Sequence, residues 1–218
     1  MRMSVSGALR GALQDFYAHS WRLVVLNGAL ALAAIAVFTA GAFFWPALVL
    51  VLALGPLAAA LMHCAVTLVR EGDISLACAT AGVRLHWRRG LELAGFTGLF
   101  VIAGLVGVQS YGGAGELAWP FAFLSVYVLA LFVVYELVLW PLAIAERELP
   151  FRQVLRNALR VLAGRPRAAL GLALVLLLVN ALGAVAALMP LLTLTIAYSF
   201  LAAARFALPP LPPLEARS

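Results

Sequence analysis

Charge is what this sequence has least of. Only 11% of its 218 residues are charged, against roughly 25% in soluble domains, and 65% are hydrophobic. That balance excludes an ordinary soluble domain and predicts a polytopic, all-α membrane protein. Lysine is missing altogether: the 15 basic residues are all arginine, a bias of base composition rather than a mechanism. The net charge of +6 does not point to nucleic acid. A nucleic-acid binder gathers its charge on one folded polar face, and here the arginines lie between apolar runs. Two cysteines, Cys64 and Cys78, are too few for a disulfide framework or a thiolate metal site. Both fall on the cytoplasmic side of the topology expected below, where thiols stay reduced. His19, His63 and His86 are scattered, which argues against a metal centre. There is no Gly-Lys-Ser/Thr phosphate loop and no His-Glu-x-x-His, nor a Ser/His/Asp order that suggests a nucleophile. No enzyme activity and no cofactor are expected, so any ATP hydrolysis would come from a partner.

What the chain does have is long apolar runs. Residues 23–44 can cross a hydrocarbon core of about 30 Å at roughly 1.5 Å per residue. About twenty polar-flanked residues precede this run, and it exceeds a signal h-region of about 7–15 residues, so a cleaved signal peptide is not expected. Residues 46–69, 91–109 and 119–144 make three further spans. The run 168–207 is too long for one helix of about 20 residues. Gly183 and the pair Met189-Pro190 are expected to divide it into a fifth and a sixth. The proline-rich tail, 209–218, is expected to be disordered.

Arginine-rich segments separate these runs. Wound as a helix from Asp73, residues 70–92 put Asp73, Thr80, Arg84, Trp87 and Arg88 on one arc, so this segment is expected to lie along the membrane surface. Residues 150–164 are cleaner. Phe151, Val154, Leu155, Ala158, Leu159 and Leu162 face one way, and Arg152, Arg156 and Arg160 the other. At the N-terminus Val5, Ala8, Leu9, Ala12, Leu13 and Phe16 share a face opposite Arg10, Gln14 and Asp15. Arg84, Arg88, Arg89, Arg152, Arg156 and Arg160 are the expected contacts to anionic phospholipid headgroups or a partner protein.

Orientation follows from the same residues. Every arginine lies before span one, between spans two and three, between four and five, or, as Arg205 and Arg217, at the close of the chain. The other loops carry only Glu116, so both termini are expected on the cytoplasmic side. Pro46, Pro120 and Pro190 open the even-numbered spans at spacings of 74 and 70. They suggest three repeats, 5–69, 73–145 and 150–208, each built as amphipathic segment, span, turn and span. Such repeats in transporters place binding sites at repeat interfaces.

Polar groups at membrane depth complete the picture. Asn180 predicts a helix–helix hydrogen bond. Pro56 and Pro141 predict kinks inside spans two and four. Counted from the opening proline of each even span, His63, Glu136 and Arg205 share a depth of roughly 22–26 Å. An acid inside a span usually faces the bundle interior and pairs there. These three are therefore the candidate intramembrane polar cluster, Glu136 pairing with Arg205 beside His63. The competing expectation is that Arg205 and His63 snorkel to the cytoplasmic interface.

Leu26-Asn27 in the first span, and Gly55-Pro56-Leu57-Ala58-Ala59-Ala60 in the second, resemble the YesL-type bacterial membrane proteins. Leu68-Val69-Arg70 with the helical segment after it, and Leu155-Arg156-Asn157-Ala158-Leu159, extend the resemblance over the whole chain. In that family the segment after the second span usually carries aromatic residues, where this chain has Ala77, Cys78 and Ala79. The family has no known chemistry, and its members are often associated with carbohydrate ABC transport. The resemblance thus implies a bacterial inner-membrane protein acting as an accessory or permease-like component of solute transport. ABC transporter subunits and a second copy of the chain are then further expected partners. The alternative is a structural anchor or scaffold with no translocation pathway. A continuous polar cavity would favour transport, and a dry packed bundle the scaffold.

Overall fold

The computed structural model describes residues 4–185 and 194–208. It is helical throughout, with no strand among the described residues. Five stretches are long and apolar enough to cross a membrane: Ser20–Phe43, Pro46–Glu71, Leu76–Gly112, Glu116–Ala145 and Pro166–Val185. The chain is an all-α, multi-pass membrane protein.

Helix α1 spans Val5–Ala18, capped by the Ser4 side chain, which accepts from the Gly7 N–H. It does not stand apart as a surface helix. Ala8, Gly11 and Ala12 are buried, and these small side chains let it lie close against the last helix. Leu13, expected on the same face, is exposed. Helix α2 (Ser20–Phe43) is the first span. The second opens as a nine-residue 3-10 helix, Trp45–Ala53, with proline in its first turn, and continues as α3, Leu54–Glu71. A 3-10 helix rises about 2.0 Å per residue, so the sequence count places His63 too shallow by about 4 Å. Pro56 lies two residues past the change of helix type.

The largest departure from expectation is α4, Leu76–Gly112, a single 37-residue helix. The Arg-rich segment expected to lie on the membrane surface is its first half. Packing explains why it continues straight into the span. A Cβ on Gly82 would come within 3.0 Å of the Ala60 Cα, and one on Gly90 within 2.7 Å of the Pro56 nitrogen. Two backbone-to-backbone approaches 8 residues apart hold this half antiparallel to α3, so it cannot turn away. No separate amphipathic helix precedes the span in α4, whereas α1 and the Phe151–Gly164 helix are helices of their own.

Helix α5 (Trp119–Ala145) runs through a buried Pro141 and stacks on α4, Phe132 lying parallel to Phe100 at 4.5 Å. Helix α6 (Phe151–Gly164) buries Val154 and Ala158, while Arg152, Arg156 and Arg160 are exposed as expected. Leu159, expected to face the lipid or the bundle, is 56% exposed and so does not pack into the bundle. Helix α7 (Pro166–Val185) passes through a buried Gly183, so that glycine does not end the fifth span. Met189-Pro190 and the tail lie outside the described residues. Helix α8, Ile196–Ala207, is too short to cross alone, and the expected start of a sixth span lies in that same undescribed stretch.

Asp73 is not part of α4. Its Oδ1 accepts from Arg22 Nη1 at 2.7 Å and from the Ile74 N–H at 2.8 Å, with His19 Nδ1 at 3.5 Å. Arg22 also donates to the Ile74 carbonyl. The start of α2 is thereby tied to the α3–α4 loop. The Ile74 N–H, and then the Arg22 guanidinium, hold the Asp73 carboxyl below the usual carboxylate range. A lowered acid stabilises the fold above its ordinary value and stops doing so as pH falls through the lowered one. The protection factors of the amides at residues 72–75, corrected for the intrinsic pH dependence of exchange, should therefore hold at neutral pH and fall only below the ordinary carboxylate range, at about pH 4. In Asp73→Asn they should be low at every pH.

Candidate functional site

Glu136 lies on α5, one turn before Trp140 and facing Thr97 of α4. Its Oε2 accepts from Thr97 Oγ1 at 2.9 Å and from the Trp140 indole N–H. Its Oε1 is buried with no hydrogen-bond partner among the described residues. An acid placed so inside a span costs at least about 2.5–3.5 kcal/mol near the membrane centre, so two donors and an orphaned oxygen mark the position out. Beside it a cavity of about 350 Å³ opens between α3, α4, α5 and α8. Met62, Val101, Phe132, Leu137, Trp140 and Phe200 supply most of its wall. These side chains are apolar because four helices must meet there at membrane depth. Among the described residues its lining is mostly apolar, with Thr97, Glu136 and Ser199 as the polar members.

The three residues expected to cluster have separate partners. Arg205, near the end of α8, forms a bidentate pair with Asp15 of α1: Nε to Oδ2 and Nη2 to Oδ1 are both 2.7 Å. His63 stacks obliquely on His86 of α4, ring centroids 5.0 Å apart. Glu136 bonds to Thr97 and Trp140 instead of Arg205. The equal-depth argument failed because depth does not fix the direction a side chain faces. It also left out α1, whose acid reaches Arg205 first. The snorkelling alternative does not describe Arg205 either, which is held inside the α1–α8 contact with about a fifth of its side chain exposed.

Sequence reasoning missed Asp15 as that partner. The signal was present: Gly7, Ala8, Gly11 and Ala12 form a small-residue stripe of the kind that lets helices approach closely. A Cβ on Gly11 would fall 2.7 Å from the Arg205 guanidinium, so the glycine makes the room in which the pair forms. Asn180 behaves as expected, donating to the Leu176 carbonyl and, across to α8, to Ser199 Oγ, both at 2.8 Å.

Among the expected surface arginines, Arg84 and Arg88 are exposed, and the Arg88 guanidinium lies 5.1 Å over the Trp87 ring. Arg89 is a correction. It donates to the Arg147 and Leu149 carbonyls at 3.2 and 2.6 Å, and pairs with Glu92 at 3.1 Å. It fastens the α5–α6 turn to α4 and spends three of its five N–H donors on the protein. No family model, curated protein or solved structure matches the chain.

Proposed function

We propose that this protein is an accessory component of a solute-transport system in a bacterial cytoplasmic membrane, with both termini on the cytoplasmic side, and that it does not itself conduct a polar solute. The observation that carries the second clause is the cavity beside Glu136. A pocket that selects a carbohydrate places several polar groups where the ligand's hydroxyls will be; this wall is mostly hydrocarbon and aromatic ring, and its polar members Thr97, Glu136 and Ser199 already hydrogen-bond within the protein. The link to transport rests on the YesL-type resemblance. The exposed Arg152, Arg156 and Arg160 support a docking face, each worth about 1 kcal/mol against an anionic membrane surface.

Reconstituted alone in vesicles, the chain should leave labelled-disaccharide flux at the level of empty vesicles. Flux rising with protein content would overturn the accessory reading. Removing the chain from its host should slow uptake of a solute carried by another permease. Unchanged uptake would leave the scaffold reading. For orientation, reporters fused after Gly113 and after Arg165 should report opposite sides of the membrane. The same side for both would contradict the arginine asymmetry.

A further inference from the structure

The two cysteines that the sequence appeared to leave idle face each other. Cys64 is buried on α3. Gly82 of α4 lies against Ala60 of α3, and one turn further along this antiparallel pair Cys78 falls opposite Cys64. The Cys78 sulfur lies 3.8 Å from Thr67 Oγ1, and Cys78 shares the lining of one cavity with His63. The glycine at 82 makes the arrangement fit. Cys78, Gly82 and His86 recur every four residues on one face of α4, and His63 lies across that face. A Cβ on Gly82 would come 3.1 Å from the His63 ring.

Cys78 is the third residue of α4 and sits at the helix's positive end. A helix N-terminus, an adjoining imidazole and partial exposure are the setting that makes a cysteine nucleophilic. A cavity of about 520 Å³ also reaches it, lined by His63, Thr67, Glu71, Asp73, Ser75 and Cys78 among others. Cys64 has no such access.

We propose that Cys78 is a nucleophilic thiol addressed through this cavity and that Cys64 is its resolving partner, so that a small aliphatic disulfide converts the pair into a covalent tie between α3 and α4. The steps balance. The Cys78 thiolate attacks one sulfur of the reagent, its S–S bond breaks, and one thiolate leaves with a proton. Cys64 then gives its proton to His63 and attacks the Cys78 sulfur, expelling the second thiolate, which takes that proton. Two protein thiols are oxidised and one disulfide is reduced to two thiols.

The test uses the full chain in lipid nanodiscs with cystamine, a cationic disulfide suited to a cavity bearing Glu71 and Asp73. Wild-type protein should lose both free thiols, and its intact mass should fall by two hydrogens with no adduct retained. Cys64→Ser should keep one cysteamine adduct, mapped to Cys78, because nothing resolves it. Cys78→Ser should leave Cys64 unmodified. A stable adduct on the wild type would overturn the resolving role. Reaction of Cys64 in Cys78→Ser at the wild-type rate, or no reaction of Cys78 in Cys64→Ser, would overturn the nucleophile. The mapped adduct in Cys64→Ser decides the matter even where Cys78→Ser folds poorly. The outcome is independent of any transport role.

Discussion

Replacing Gly90 with alanine is expected to destabilise the bundle by about 3 kcal/mol, the upper end of what overpacking costs. The added methyl would come within 2.7 Å of the Pro56 nitrogen and 2.8 Å of the Gly55 carbonyl group. Both neighbours are backbone, so neither can swing aside as a flexible side chain would. The helices must separate instead, and the loss spreads along the α3–α4 seam to the buried Met62, Cys64 and His86. Gly95→Ala on the same helix is the control. Nothing lies within 4 Å of the methyl it would add, so it should gain about 0.5–1 kcal/mol from helix propensity. Thermal unfolding of the two variants in one detergent measures both. Equal midpoints would mean that the close approach at Gly90 contributes nothing.

That seam also shows what the sequence could and could not disclose. The outer spans were legible because nothing competes with their apolar runs: the expected 23–44 became Ser20–Phe43, and 119–144 became Trp119–Ala145. Residues 150–164 were legible for another reason, since their arginines recur at helical spacing and Pro150 starts the helix at Phe151. The first half of α4 carries an amphipathic pattern too, though a less clean one. What it hides is a second face, Gly82, His86 and Gly90, that meets another helix instead of lipid. Periodicity says which residues share a face and is silent on what that face meets. The 3-10 helix at Trp45–Ala53 was illegible for a simpler reason: in WPALVLVLA almost every position is apolar, so no period can be read. At the candidate site the unusual residue, Glu136, was visible in the sequence. Of its partners, Trp140 lies four residues on along the same helix, within reach of helical spacing, whereas Thr97 lies 39 residues away on another helix and was not legible.

Breaking the Asp15–Arg205 pair from either side is expected to release α1 from α8, with a cost of about 3–5 kcal/mol for removing one partner of a buried ion pair. The pair joins residues 190 positions apart through two bonds of 2.7 Å. It is flanked by the Tyr198 hydroxyl, which donates to the Leu9 carbonyl at 3.3 Å. With about a fifth of each side chain exposed, the lower end of that range applies. Asp15→Asn keeps the shape and removes the charge, stranding the guanidinium between α1 and α8. Arg205→Met strands the carboxylate in the same place. Asp15→Asn combined with Arg205→Met removes both charges and should recover most of the stability. Such recovery is the mark of a desolvated pair rather than of lost packing. Gly11→Leu reaches the same end sterically, since its side chain occupies the space the guanidinium holds. Limited proteolysis of α1 in nanodiscs reads all four variants: rapid cleavage in both single charge variants and in Gly11→Leu, and protection regained in the double. Rapid cleavage in the double variant too would overturn the stranded-charge account, and singles as protected as the wild type would show that α1 is held by its apolar stripe and that the ion pair adds nothing.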